Sequence, residues 1–361
     1  MSSVTTDPLF TYTAAMDAEL SRAVASSDSP FEFDLGRLRD EIASCSRDLW
    51  GVDELRPRQL ETIATLFDPR SPDRAIYVDG TGAGKSHAMR VAGGLIGGVT
   101  MIFIPLLTLS ADVLEKFKTN NDVFGEVNVS HLDELYEVDP AQYASVLERV
   151  RELDEDTDST HFISLSPQFL VRHRDACDVF LDAVRRRVVG LIVMDEAHVH
   201  VQHGTSFREE IRELRDIFFR QVFAELLYRP LFLATTATLP QDYVQDLGNL
   251  VAMSFPRGAV LRGSPESFRQ REIEFRYSVV NTADFVKRGL PRAVEKLKGS
   301  DDSIVIFVNT RTKAMHLTPK LEKKCDEVGC KVDVLSLNGA LNKHDKFWRI
   351  RFFLRSRDFR R

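Results

Sequence analysis

Asp79-Gly80-Thr81-Gly82-Ala83-Gly84-Lys85-Ser86 sets glycines, a lysine and a hydroxyl at the spacing of a phosphate-binding loop. Glycines let backbone N–H groups close on phosphate oxygens, and a following helix adds its positive N-terminal end. Thr81, Gly82, Ala83 and Gly84 would cradle the phosphates, Lys85 would reach the β- and γ-phosphates, and Ser86 would ligate Mg²⁺. The strict pattern has Gly where this chain has Asp79, so a plain Gly-rich turn is the alternative reading. The context favours the loop: the apolar run Ala75-Ile76-Tyr77-Val78 precedes it, and a helical pattern starts at His87.

Two further junctions carry the same kind of chemistry. Leu191-Ile192-Val193-Met194 reads as a buried strand and ends in Asp195-Glu196-Ala197-His198. An acid at that place holds Mg²⁺ through water in nucleoside triphosphatases, which suits Asp195. Glu196 could polarise an attacking water as general base. Two acids after a strand also occur as a solvated helix start. That alternative leaves unexplained the next strand, Leu231-Phe232-Leu233-Ala234, which runs into Thr235-Thr236-Ala237-Thr238. A phosphate loop, two acids and a hydroxyl cluster thus follow three strands. Parallel α/β sheets place their ligands at such carboxyl ends.

The elements that must position these residues alternate in type. Strand runs at Ala75–Val78, Thr100–Ile104, Val127–Val129, Phe162–Leu165, Leu191–Met194 and Leu231–Ala234 are separated by helical patterns. The implied class is α/β, a parallel sheet covered by helices on both faces. Residues 1–33 read as a disordered tail. Residues 34–67 read as two helices around the Trp50-Gly51 turn, and 34–258 as the first domain. A linker is expected over 259–272 and a second α/β unit over 273–361. That unit would hold strands at Ile273–Val280, Ile304–Val308 and Val332–Leu337, a helix over Lys313–Val328 and another over Lys346–Phe353.

The motif order resembles that of superfamily-2 helicases, and the detail resembles their RecQ branch. Trp50-Gly51-Val52-Asp53-Glu54-Leu55-Arg56-Pro57-Arg58-Gln59 is similar to the RecQ motif before the first strand, with Val52 where an aromatic is frequent. The resemblance implies that Gln59 reads the adenine edge, supported by Arg56. Phe103–Leu109 resembles motif Ia, and Leu165-Ser166-Pro167-Gln168 a "Pro-Glu" motif with Gln168 replacing the acid. Val201–Arg208 is similar to the aromatic-rich RecQ loop; Gln202, Gly204, Phe207 and Arg208 agree, and His203 stands for Trp. The resemblance implies a RecA-like phosphate-loop domain followed by a partial second RecA-like domain, with ATP and Mg²⁺ as cofactors. Single-stranded or forked DNA would be the partner, with movement 3′ to 5′, in the nucleus or nucleoid. It further implies that His198 couples the ATP site to Thr236 or Thr238, and that Gln202, Phe207 and Arg208 contact DNA or relay its presence. For Phe207 and Arg208 a core phenylalanine and a solvated arginine remain open. The family continues with an arginine-bearing helix past the Leu337–Leu341 segment, so the chain as given is expected to lack full activity.

Composition narrows the classes. The chain has 361 residues and a net charge of −6, which does not mark a protein that coats duplex DNA. The basic end, Lys343 to Arg361, and the acidic run Glu152–Asp158 show that the charge is uneven. No apolar run approaches the ~20 residues that span a bilayer, and no secretory signal is evident, so a soluble intracellular protein is expected. Cys45, Cys177, Cys325 and Cys330 lack a second ligand pair, which favours free thiols over zinc. Arg185-Arg186-Arg187 reads as a phosphate patch or as a solvated helix end. His131, His161, His173, His200, His316 and His344 show no metal spacing and carry no assigned role. The function expected is an ATP-dependent RecQ-type DNA helicase core. The alternatives are a catalytically incomplete nucleotide- or DNA-binding fragment, or another superfamily-2 translocase.

Overall fold

The computed structural model describes residues 35–71, 73–105, 117–118, 126–155, 157, 159–202, 205–226, 228–240, 242–264, 268, 289–297, 305–308, 310–327, 329 and 334–336. The chain divides into two compact units, Met1–Glu272 and Ile273–Arg361.

The first unit is built on a seven-stranded sheet. Its strands are β1 (Arg74–Val78), β2 (Gly98–Phe103), β3 (Val127–His131), β4 (Thr160–Leu165), β5 (Val189–Met194), β6 (Leu231–Thr236) and β7 (Val260–Arg262). The order is β3-β4-β2-β5-β6-β1-β7, and every pairing is parallel. Side chains alternate between faces, and both faces are covered, so the strands read as continuous apolar runs. Ile76, Val78, Ile192 and Met194 enter one core with the Pro140–Glu152, Arg174–Arg185 and Asp242–Val251 helices. Ala75, Tyr77, Leu191 and Val193 enter the other, with the Leu35–Trp50, Pro57–Phe67 and Lys85–Ile96 helices.

The expected strands of this unit all appear, each within a few residues of its expected ends. One is added. Val260–Arg262, expected in the linker over 259–272, pairs with Ile76–Val78 of β1 as β7. A three-residue edge strand is too short to show a period, and its Pro256 and Gly258 flanks read as turn. The two helices around Trp50-Gly51 are Leu35–Trp50 and Pro57–Phe67. The Thr205–Leu214 helix continues into two π-helical turns, Arg215–Phe219 and Gln221–Glu225, which bury Phe218, Phe219, Val222 and Phe223.

In the second unit the described residues hold two helices, Leu290–Leu297 and Arg311–Glu327, with Val294 and Cys325 packed together. Ile304–Val308, expected as a buried strand, is a correction. Residues 305–308 carry no regular structure, Val305 is 58% exposed and Phe307 90%. A strand needs a paired neighbour and a covered face, and among the described residues this segment has neither. Residues 334–336 of the expected Val332–Leu337 strand are likewise irregular. The tail at 1–33, the Ile273–Val280 strand and the Lys346–Phe353 helix lie outside the described residues. Among the described residues no helix is long and apolar enough to cross a membrane.

Candidate nucleotide site

The loop at Asp79–Gly84 leaves β1 and turns into the Lys85–Ile96 helix. Gly82 and Gly84 hold φ of +81° and +82°, the left-handed region that glycine enters without penalty. A Cβ on Gly84 would also collide with the Gln59 amide. Thr81 and Gly82 lie exposed at the loop tip, while Ala83 is buried beneath it and Ser86 sits half-buried in the first helical turn. Lys85 Nζ folds back and donates to the carbonyls of Asp79, at 2.8 Å, and Gly80, at 3.0 Å. Burial lowers its pKa, and the carboxylates of Glu196, Asp195 and Asp79 oppose that shift.

Asp79, the departure from the glycine pattern, is a buried brace. Its Oδ1 accepts from Gly80 N at 2.8 Å and its Oδ2 from the Tyr77 hydroxyl at 3.2 Å. The expected adenine readers grip the same loop. Arg56 Nη1 donates to Gly82 O at 2.7 Å, and Gln59 Nε2 donates to Gly84 O at 2.9 Å and to Ala83 O at 3.4 Å. Gln59 Oε1 accepts from Arg56 N at 2.8 Å. In this structure both N–H groups of that buried amide are turned to the loop.

Asp195 ends β5 in a buried position. Its Oδ1 accepts from Thr235 Oγ1 at 2.6 Å, and its backbone N–H donates to Phe103 O at 3.0 Å. Burial raises its pKa, with the Thr235 hydrogen bond working the other way. His200, given no role by its spacing, donates from Nε2 to Asp195 O at 3.2 Å. Glu196 holds φ +46°, a strained value for a residue with a side chain. Its Oε2 is buried and makes no hydrogen bond, although His198 Nδ1 lies 3.3 Å away.

His198 Nδ1 instead bonds Thr236 Oγ1 at 2.7 Å. The Thr236 hydroxyl has one hydrogen, and Thr238 O takes it at 2.9 Å. His198 therefore donates from Nδ1, a tautomer fixed by the network. Thr238 itself is exposed and contributes backbone only: its N–H donates to Thr236 Oγ1 at 3.2 Å. Thr236 O also accepts from Asp79 N at 3.1 Å, so the end of β6 touches both the loop and the acid box.

The structure thus brings together Arg56, Gln59, Lys85 and the loop on one side, and Asp195, Glu196, His198 and Thr236 on the other. Thr235 was missed as a site residue; a hydroxyl on an otherwise apolar buried strand was the available signal. The side chains of Gln202, Phe207 and Arg208 lie outside the described residues. The Arg185–Arg187 run serves the fold: Arg186 donates to Leu153 O and Val150 O, capping a neighbouring helix, and pairs with Asp182.

The DEAD/DEAH box helicase family profile matches residues 56–247, more than half of the chain. The chain belongs to the DEAD/DEAH box helicase family. Its curated relatives include the ATP-dependent DNA helicase RecQ of Synechocystis sp., 26% identical over 314 residues that cover 85% of this chain and 58% of that protein. The Bacillus subtilis ATP-dependent DNA helicase RecQ is 25% identical over 198 residues, 55% of this chain and 29% of that protein. The chain spans about half or less of the length of these relatives. A Saccharomyces cerevisiae Dbp5 variant bound to RNA and ADP BeF3 superposes with TM-score 0.50 at 16% identity, covering 84% of this chain and 72% of that one. That likeness shows the fold alone, the RecA-like parallel sheet.

Proposed function

We propose that this helicase domain is of RecQ type, an ATP-driven motor that moves 3′ to 5′ on single-stranded DNA. One observation carries the ATP part of the reading. Lys85 at the start of the helix that follows the β1 loop, Asp195 and Glu196 at the end of β5, and Thr235–Thr236 at the end of β6 form one linked set of charges and hydrogen bonds. The RecQ relatives and the motifs around Arg56–Gln59 and Val201–Arg208 support the finer assignment.

In this mechanism Lys85 leaves the loop carbonyls and takes the β/γ-phosphates, which exchanges neutral acceptors for charged ones. Ser86 and Asp195 are the residues that would hold Mg²⁺. An all-oxygen set of one hydroxyl and one carboxylate fits that hard cation. Bound Mg²⁺ supplies neutralisation of the phosphate charge. Glu196 positions the attacking water and accepts its proton; the unpartnered Oε2 leaves a lone pair for that task. His198 and Thr236 link the segment carrying Glu196 to the strand that abuts the loop, and Gln59 with Arg56 would read the adenine once the Gln59 amide releases the loop carbonyls it holds here. Gln202, Phe207 and Arg208 report the DNA strand.

The test is nucleotide binding followed by ATPase measured with single-stranded DNA, single-stranded RNA and no nucleic acid. Lys85→Ala is expected to weaken ATP binding by about 1.5–3 kcal/mol, the worth of a charge-assisted contact. DNA is expected to stimulate turnover more than RNA does. Equal ATP affinity in the variant removes Lys85 from the site, and stimulation by RNA alone overturns the DNA assignment.

A further inference from the structure

A second grip on the phosphate-loop helix lies outside the residues described so far. His87, one residue past Ser86, is buried at 9% exposure and faces the Leu35–Trp50 helix. Ser46 Oγ donates its only hydrogen to Val52 O at 2.9 Å. The contact between Ser46 Oγ and His87 Nε2, at 2.9 Å, must therefore carry the histidine's proton. His87 Nδ1 is then an acceptor, and Arg90 Nε donates to it at 2.7 Å. The result is a directional chain: Arg90 to His87 to Ser46 to Val52 O.

Aromatic packing closes the same joint. The Arg90 guanidinium lies 5.2 Å from the centre of the Trp50 ring, and Trp50 meets His87 edge-on with centroids 6.4 Å apart. Gly94 allows the approach: a Cβ there would stand 2.9 Å from Leu49 and 3.0 Å from Trp50. The joint pins the Trp50–Val52 turn, and that turn delivers the segment carrying Arg56 and Gln59. The two grips meet at Gly84, whose carbonyl accepts from both His87 N, at 3.0 Å, and Gln59 Nε2, at 2.9 Å.

We infer that His87 is a positioning residue for base recognition: through Ser46 and Val52 O it fixes the Trp50–Gln59 segment against the phosphate-loop helix. This rests on the reading of Gln59 and Arg56 as the adenine-facing pair and deepens it. In this reading His87 supports that segment and makes no contact of its own with the nucleotide; its side chain is engaged by Ser46 and Arg90. Its loss should therefore affect ligands with a base and spare those without one.

The experiment is calorimetric titration of the full chain with ATP·Mg and with inorganic tripolyphosphate·Mg, alongside thermal unfolding of each variant. His87→Leu is expected to weaken ATP about tenfold, the scale of one lost buried hydrogen bond, and to leave tripolyphosphate within twofold. Ser46→Ala, a smaller change, should move ATP in the same direction, and the double variant should lose less than the sum of the two. His87→Gln, which can still donate to Ser46, should recover most of the affinity. Equal weakening of ATP and tripolyphosphate would place His87 with the phosphate loop and overturn the proposal, as would unchanged ATP affinity in a folded Ser46→Ala. A parent chain that binds tripolyphosphate but not ATP refutes the adenine reading itself, separately from any effect of His87.

Discussion

At the carboxyl ends of β1, β5 and β6, Lys85 is half-buried among Asp79, Asp195 and Glu196, Glu196 is held at φ +46°, and its Oε2 has no hydrogen-bond partner. At the β3–β4 edge of the same sheet, Tyr136, Tyr143, Phe169 and His173 pack as a ring cluster, with Tyr136–His173 centroids 4.1 Å apart and Phe169–His173 4.3 Å. Several polar groups of that edge are paired. Asp133 accepts from Ser166 N at 2.7 Å and Ser166 Oγ at 2.6 Å, and His131 Nδ1 pairs with Ser164 Oγ at 2.9 Å. The first region keeps backbone strain and an open lone pair among clustered carboxylates; among the described residues the second edge has no positive-φ position, although Asn128 Nδ2 of β3 is buried without a partner. Strain of that kind persists where the surrounding fold overrides it and where chemistry uses it.

Substitutions can break that contrast, and the largest effect is expected at the quiet edge. Phe169→Ala removes a ring that is 4% exposed and touches Tyr136, Tyr143 and His173. It should cost about 3–5 kcal/mol in denaturant unfolding. ATP affinity of the folded fraction should remain that of the parent. Loss of affinity in proportion to stability would show that the two regions are not separable.

A smaller effect of opposite sign is expected at the site. Glu196→Gly removes the positive-φ strain and should raise stability by about 1 kcal/mol, while ATP turnover falls sharply. Glu196→Gln should keep both the strain and ATP binding and lose turnover. If Glu196→Gly is no more stable than the parent in thermal unfolding, the strain is not stored at this residue.

A third effect, spread over a pH range, sharpens the edge region. Burial, then the nearby Arg149, lowers the His161 pKa from 6.5 to about 4. Between those values the unfolded chain binds a proton that the folded one refuses, so stability contributed by the neutral ring is lost as pH falls from 6.5 towards 4. His161→Phe should flatten that part of a stability-versus-pH curve. The phosphate-loop neighbour His87 should leave the same signature, so a single variant removes only part of the slope. An unchanged slope in His161→Phe would mean that the ring is already charged or exposed in the folded state.

Much of the site was legible from local pattern. Phosphate loops, acid boxes and strand-end hydroxyls are contiguous runs, and their spacing survives in sequence. Lys85, Asp195 and the threonine run could be named for that reason, and the pairing of His198 with Thr236 or Thr238 through the family resemblance. Thr235 stood in that run without a role of its own, and Ser46, His87 and His200 could not be named. Their partners are 40, 41 and 5 residues away in the chain, and the short separation of His200 from Asp195 hides a side chain-to-backbone bond that no motif encodes. The strand runs of the first unit were legible because apolar residues fill both faces. Residues 305–308 have the same apolar character and are irregular, and among the described residues they have no neighbouring strand: apolar character gives a segment something to bury but not the neighbour to bury it against.

The amino-acid sequence by itself determined the class of chemistry: a glycine loop ending in Lys85, acids closing one buried strand and threonines closing another. Those are local facts of residue type, backbone freedom and strand period. Only the tertiary structure decided which groups meet. It turned Asp79 from a departure in the loop into its brace, and gave Thr235 rather than Thr238 the hydroxyl role. It also set β7 beside β1 and directed the His198 proton to Thr236. Each of these depends on strand order and on how many hydrogens a donor has to give, and both are settled only when distant segments share one space.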